Sequence, residues 1–307
     1  MRIIFMGTPE FAVLCLERIV QQGHEILAVF TQPDKLFGRK QVLKCSPVKI
    51  KAESFNFPIK QPEKLDEEQI NFVRKLRPDV IVVVAYGKII PKAMLQIPRF
   101  GCVNIHASLL PRHRGASPIQ TSIACGDEVT GVSAIFLNEK LDSGDIIGKI
   151  STKIEENETA VDLFSRLSVL AADLICEVLP SLEKQTFKRV VQNDAEATYT
   201  SMLTKNSGRI DFKKSARLVH RLVCGMVPWP VAFCCLKEGK VLKIHRSCCL
   251  SGCFNLKPGE VSKKGGFVVG CGCGTAVEFL EVQLESRKKM DGASFLNGFN
   301  LRGEFLF

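Results

Sequence analysis

The chain has 307 residues, of which 46% are hydrophobic, and its 42 Lys and Arg outnumber its 32 Asp and Glu by ten. This length is typical of two domains, each large enough to bury a core, and the composition excludes a disordered, collagenous or coiled-coil chain. Its longest apolar run, Val80–Ala85, is far shorter than the roughly 20 residues that span a bilayer. The polar residues after Met6 predict no secretory signal peptide, so we expect a cytoplasmic protein.

Strands and helices alternate along the first 180 residues. Apolar runs predict strands at Arg2–Met6, His24–Thr31, Asp79–Ala85, Cys102–His106, Val129–Leu137 and Ile146–Ile154, and amphipathic periodicity predicts helices at Phe11–Val20, Ser117–Ala124 and Thr159–Val178. Thr159 and Asp162 form a candidate capping box for the last helix, and Pro180 predicts its end. This alternation predicts a doubly wound, Rossmann-like α/β domain over residues 1–180.

The pattern changes after Pro180. Residues 181–203 are polar and poorly periodic, which predicts a linker. Residues 204–307 begin with a predicted helix at Lys213–Met226 and continue as short β runs separated by glycine-rich turns, which predicts a small, OB-like β-barrel. These runs are Val231–Leu236, Val241–Arg246, Gly259–Ser262, Phe267–Cys271 and Ala276–Gln283.

The positive charge is concentrated in the second part of the chain. Residues 1–203 hold 25 basic and 24 acidic residues, whereas residues 204–307 hold 17 and 8, which is nine of the net ten charges. Such an excess favours a polyanionic partner such as nucleic acid, although a basic surface also serves solubility.

The chain has thirteen cysteines, an odd number, and eight of them follow residue 203. Without a signal peptide, reduced thiols that pack as small hydrophobes explain them better than a disulfide framework. A zinc site is the alternative, but no pair has the C-x2-C spacing and His245 is the only histidine nearby. We therefore expect no metal.

Polar side chains follow two of the predicted strands. Asn104 and His106 end one strand on the same side, at the edge where α/β sheets bind ligands, and could polarise a carbonyl and move a proton. Asp142 and Asp145 follow another strand, where a carboxylate could orient His106. A capping Asn, a core His and turn aspartates are the structural alternatives. The Gly7 turn lacks G-x-G-x-x-G, which disfavours NAD and ATP.

Three motifs, NIHASLLP at 104–111, RGASPIQ at 114–120 and LDSGD at 141–145, resemble those of the formyltetrahydrofolate-dependent formyltransferases. The resemblance implies transfer of a formyl group from 10-formyltetrahydrofolate to an amine. Asn104 would donate a hydrogen bond to the formyl oxygen, His106 would stabilise the oxyanion or move the amine proton, and Asp142 would orient His106 and relay protons. The folate-binding residues that it implies are Ser108, Leu109, Leu110, Pro111, Gly87, Lys88 and Ile89.

Further stretches resemble the members of that family that act on initiator methionyl-tRNA for translation initiation: GTPEFA at 7–12, TQPD at 31–34, SPVK at 46–49, AYGKIIP at 85–91, PWP at 228–230 and FLNG at 295–298. The acceptor implied is the α-amine of the tRNA-bound methionine, and we expect the enzyme to be a monomer. A basic loop carrying Arg39, Lys40 and Lys44 would contact the tRNA, although Gln41 and Val42 replace the family's basic pair. In the basic domain, Lys214, Arg217, Arg221 and Lys243 would contact phosphates.

Two other functions are compatible with parts of the sequence. One is formyl transfer to a small amine, such as a purine precursor or an amino sugar, but a small acceptor requires neither the basic last third nor the Arg39 loop. The other is a non-catalytic RNA-binding protein, which the intact set of Asn104, His106 and Asp142 disfavours.

Overall fold

The protein is described by a computed structural model that covers residues 1–37 and 42–307. Its strands are β1 Arg2–Gly7, β2 Glu25–Phe30, β3 Lys35–Phe37, β4 Val42–Lys44, β5 Ile59–Lys60, β6 Val80–Val84, β7 Cys102–His106, β8 Arg114–Gly115, β9 Val129–Phe136, β10 Ile146–Lys153, β11 Tyr199–Thr200, β12 Ala232–Cys235, β13 Val241–Leu250, β14 Val268–Gly270, β15 Ala276–Leu284 and β16 Met290–Asp291. Its α-helices are α1 Val13–Gln21, α2 Pro47–Ser54, α3 Glu67–Leu76, α4 Lys92–Leu95, α5 Pro118–Ala124, α6 Ala160–Glu183, α7 Ala216–Gly225 and α8 Gly292–Gly298.

The chain forms two compact units, and each is built from several segments. The first comprises Met1–Gly115, Thr130–Thr152 and Phe164–Tyr199, and the second comprises Ala116–Val129, Lys153–Leu163 and Thr200–Phe307.

The first unit is built on a seven-stranded sheet with the order β10-β9-β7-β6-β1-β2-β5. Strands β5, β2, β1, β6 and β7 are parallel, and β9 is antiparallel to β7. Every residue of β6 is buried, as expected for a strand covered on both faces. The chain turns to opposite sides of β1 to reach β2 and β6, and ligands bind at such a switch point beyond the carboxyl ends of parallel strands.

The second unit contains an antiparallel sheet in the order β12-β13-β15-β14, with β16 paired to β15. Three phenylalanines dominate its core, with Phe267 stacked on Phe295 and edge-on to Phe279. The predicted fold class, a doubly wound α/β domain followed by a β domain, is confirmed. The run at 259–262 does not form a named strand, because Glu260 and Val261 each make a single bridge, to Phe305 and Val269.

Helix α6 does not end where we predict. Thr159 and Asp162 form the expected capping box, since each side chain bonds the backbone N–H of the other. Pro180, however, lies inside the helix, which continues to Glu183. Proline cannot donate to the carbonyl four residues before it, that of Cys176, and the side-chain amide of Gln22 donates to this carbonyl instead, at 3.0 Å.

No strand or helix is predicted between Thr31 and Asp79, but the structure has β3, β4, α2, β5 and α3 there. Helix α2 starts at an N-cap serine, Ser46, whose hydroxyl accepts from the N–H of Lys49, and α3 starts in the same way at Asp66. Both caps are readable in the sequence, but the strands around them are only two or three residues long and carry too little periodicity to detect.

All thirteen cysteines are free thiols, and Cys15, Cys102, Cys224, Cys234 and Cys271 are buried. Burial raises the pKa of the Cys102 and Cys271 thiols to about 12. Within residues 1–37 and 42–307, no group of His, Cys, Asp or Glu side chains is arranged to hold a metal ion. No helix in the same ranges is long and apolar enough to cross a membrane.

Candidate active site

Strand β7 carries two polar side chains to the carboxyl edge of the parallel sheet. Asn104 and His106 are two residues apart, so both point to the same side of the strand, and they are only 9% and 7% exposed. No hydrogen bond joins the Asn104 carboxamide to another side chain or backbone group of the described chain. This amide therefore keeps its donors for a ligand.

The imidazole of His106 has one nitrogen occupied. Nε2 lies 2.9 Å from the carbonyl oxygen of His113, and since a carbonyl can only accept, the ring proton is on Nε2. Nδ1 lies 3.6 Å from Oδ2 of Asp142, which is ion-pair distance and longer than a hydrogen bond. The His113 carbonyl thus fixes the tautomer of His106.

Asp142 is held in an unusual backbone conformation, with φ at +47°. Its Oδ2 accepts the backbone N–H of Gly115 at 2.9 Å, which aims the carboxylate back towards β7. Gly144, in the same LDSGD motif, has no room for a side chain, because a Cβ atom would lie 1.7 Å from the carbonyl oxygen of Phe136. The glycine is therefore needed to pack this loop against the end of β9.

The segment Ser108–Pro111 is fixed by hydrogen bonds to two side chains outside it, those of Ser133 and Lys149. The Ser133 hydroxyl donates to the Ser108 carbonyl at 2.7 Å and accepts the N–H of Leu110 at 3.1 Å, and Lys149 donates to the Leu110 carbonyl. Ser108 and Leu110 are fully buried. Their side chains are therefore unavailable to a ligand. Ser133 and Lys149 support this segment but fall outside every motif that the sequence analysis uses.

The second predicted folate segment follows β6. Gly87 has a φ of +80°, a conformation that favours glycine. The amine of Lys88 donates to the carbonyls of Pro62 and Glu63, so this half-buried side chain is anchored to the segment before α3. Ile89 is 91% exposed, which is unusual for a large apolar side chain beside a candidate ligand site.

Polar side chains bond to each other at the base of the loop that is predicted to contact tRNA. Asp34 and Lys49 form an ion pair of 2.6 Å, and Gln61 donates to the other Asp34 oxygen at 2.7 Å. These hydrogen bonds, first from Lys49 and then from Gln61, hold the pKa of Asp34 below its usual range. Arg39 and Lys40 lie outside the described residues, and Lys44 is exposed on β4.

Four basic residues of the second unit were predicted to face a polyanion, and three of them are exposed. These are Lys214, Arg217 and Lys243; Arg217 pairs with Glu128 at 3.1 Å. Arg221 is only 4% exposed, and its guanidinium donates to the carbonyl of Glu155 at 2.7 Å. Helical spacing alone would put Arg221 on the same exposed face as Arg217, but its long side chain turns inward to satisfy a backbone carbonyl, so the structure does not support the predicted contact with phosphates.

Comparison with known proteins defines the class of this enzyme. The family described as "Formyl transferase" matches residues 1–179, and the family described as "Formyl transferase, C-terminal domain" matches residues 202–300. In fold, the chain is similar to the N-formyltransferase of Helicobacter canadensis in complex with folinic acid and dTDP-3-aminofucose. The TM-score is 0.70 at 18% identity over 94% of this chain and 99% of that one.

The curated relatives are more specific. The chain is 44% identical to the methionyl-tRNA formyltransferase of Lachnospira eligens over 98% of both sequences. It is 42% identical to that of Acetivibrio thermocellus over 100% of this chain and 99% of the relative. The chain belongs to the methionyl-tRNA formyltransferase family.

Proposed function

We propose that this chain transfers the formyl group of 10-formyltetrahydrofolate to the α-amino group of methionine on initiator tRNA, as a cytoplasmic monomer. The observation that carries the proposal is the grouping of Asn104, His106 and Asp142 at one strand end, in a chain so similar to methionyl-tRNA formyltransferases.

The chemistry follows from the atoms that remain available. The amine attacks the formyl carbon, and the Asn104 amide donates to the oxygen as it becomes an oxyanion. Nδ1 of His106 takes the proton that the amine loses, because its Nε2–H is already donated to the His113 carbonyl. The Asp142 carboxylate stabilises the imidazolium, which returns the proton to the folate nitrogen as the carbon–nitrogen bond breaks. No covalent enzyme intermediate is required.

The two substrates are assigned to different regions. Folate binds beside the site through the backbone of Ser108–Pro111 and through Gly87–Ile89, within a catalytic domain of residues 1–180. After a connecting segment of residues 181–203, whose first three residues complete α6, the domain of residues 204–307 binds tRNA phosphates through Lys214, Arg217 and Lys243. The loop with Arg39, Lys40 and Lys44 contacts the same tRNA, and the bonds of Asp34 to Lys49 and Gln61 hold the residues that flank this loop together.

The experiment is an acceptor test. The protein is incubated with 10-formyltetrahydrofolate and either charged initiator tRNA, uncharged initiator tRNA or a nucleotide-linked amino sugar, and the products are separated after hydrolysis. We expect N-formylmethionine from charged initiator tRNA alone. Formylation of the amino sugar, or no product with active folate, would refute the proposal.

A further inference from the structure

Arg114 is the largest fully buried side chain of the chain, with 2% exposure. Its Nε and Nη2 donate to Oε1 of Gln192 at 3.1 and 2.9 Å, and Nη2 also donates to Asp194 at 2.8 Å. Tyr199 accepts the remaining bond, at 3.2 Å. A guanidinium has donors only, so this arrangement fixes which end of the Gln192 carboxamide is oxygen.

The other end of the Gln192 carboxamide is therefore its NH2 group, and both of its hydrogens are donated in hydrogen bonds. Nε2 donates to the carbonyl of Asp142 and to the carbonyl of Gly144, each at 2.8 Å. Gln192 is itself 9% exposed and lies in the segment after α6, 50 residues along the chain from Asp142. The Gln192 side chain thus binds the backbone carbonyls on both sides of Ser143.

These two hydrogen bonds hold the backbone of Asp142, whose conformation requires support from neighbouring residues. Asp142 has a left-handed backbone, which is strained for a non-glycine residue and persists only where neighbouring structure enforces it. The same conformation directs its carboxylate to the N–H of Gly115 and to Nδ1 of His106. A change in this backbone conformation would redirect the carboxylate relative to both partners.

We propose that Gln192, oriented by Arg114, is a positioning residue that holds the Asp142 carboxylate in its place for formyl transfer. The inference rests on the proposed function for its catalytic consequence. Its structural consequence, an ordered bond between Asp142 and the Gly115 N–H, does not depend on any substrate.

The discriminating variant is Gln192→Glu. Glutamate fills the same volume and keeps the acceptors that Arg114 requires, so the buried guanidinium remains paired. It replaces the two donors by a carboxylate oxygen that repels the carbonyls of Asp142 and Gly144. A residue that merely filled space, or merely paired with Arg114, would tolerate this change.

We expect Gln192→Glu to lower kcat at least about tenfold, since misplacement of a catalytic group by 1 Å costs up to about 100-fold. The KM for folate and for tRNA should stay close to wild type. Because the loss of two buried donors lowers the melting temperature, kcat is compared well below the melting transition of both proteins. The neighbouring Val191→Ala, at a side chain that is 79% exposed, is the matched control and should be neutral. In an Asp142→Asn background, Gln192→Glu should cost almost nothing more.

Hydrogen exchange at the Gly115 amide provides the readout that is independent of activity. Exchange should be faster in Gln192→Glu than in the wild type and in Val191→Ala. The inference would be overturned by unchanged exchange at Gly115 or by an unchanged kcat in an active enzyme. It would also be overturned by an equal loss of kcat in the Asp142→Asn background, or by a fall in kcat that only follows a fall in melting temperature. An inactive wild type would refute the proposed function, and exchange at Gly115 would still decide this inference.

Discussion

The nitrogen of His106 that faces Asp142 carries a lone pair, because the His113 carbonyl holds the ring proton on the opposite nitrogen. In the neutral state that lone pair and the carboxylate repel each other at 3.6 Å, and after protonation they attract. Nδ1 is therefore the ring nitrogen whose lone pair is available for the proton that amine attack releases.

The hydrogen bond from the Asn104 carboxamide should stabilise the transition state more than the bound substrate. Asn104→Ala should lower kcat by about 100- to 1,000-fold, the usual cost of losing one oxyanion donor, with a much smaller change in the KM for tRNA. Asn71→Ala, at an exposed asparagine of α3, is the control. A steady-state comparison decides the point, and a change confined to KM would mean that Asn104 only binds substrate.

Arg217 and Arg221 lie one helical turn apart and should respond in opposite ways. Arg217 is exposed, so Arg217→Ala should weaken tRNA binding and leave stability nearly unchanged. Arg221 is buried against the Glu155 carbonyl, so Arg221→Ala should lower the free energy of unfolding by about 1.5–3 kcal/mol. Filter binding and urea unfolding measure the two effects, and equal effects of the two variants would contradict the assignment.

Strands and helices with a regular hydrophobic pattern are predictable from the sequence. Hydrogen bonds between residues far apart in the chain are not. Strand β7 and the adjacent positions of Asn104 and His106 follow from hydrophobic runs and strand alternation. The bonds from His113 to His106, and from Gln192 to Asp142, join separate loops, and no local pattern encodes them. The inward turn of Arg221 is missed for the same reason, since spacing places it on the outer face.

Helix α6 shows the same limit, because its passage through Pro180 depends on a residue more than 150 positions earlier. Gln22→Ala should destabilise the wild type by about 0.5 kcal/mol, since it leaves the Cys176 carbonyl to solvent. In Pro180→Ala the helix regains its own N–H donor, and Gln22→Ala should then be neutral. Thermal unfolding of the four proteins tests this coupling, and an equal effect of Gln22→Ala in both backgrounds would disprove it.

At the scale of the whole molecule, charge and chemistry are separated along the chain. Residues 1–203 are nearly neutral and contain Asn104, His106 and Asp142, whereas residues 204–307 carry nine of the ten excess positive charges. A domain that holds phosphates through lysine and arginine gives affinity without reading bases, and this affinity must fall with salt.

The apparent KM for tRNA should therefore rise on the order of tenfold or more between 50 and 200 mM monovalent salt, because bound counterions are released on association. The KM for folate should change far less. Initial rates over a salt series, with each substrate varied in turn, measure both values. A tRNA KM that does not depend on salt would exclude a phosphate-binding role for the basic domain.

We propose that formyl transfer occurs at the end of β7 and that His106 moves the proton. This proposal is tested most directly by His106→Ala, assayed in parallel for formylmethionyl-tRNA formation and for tRNA affinity. We predict a loss of transfer of at least about 100-fold with a Kd for tRNA close to wild type. Formylation at the wild-type rate, or an equal loss of transfer and affinity, would contradict this role of His106.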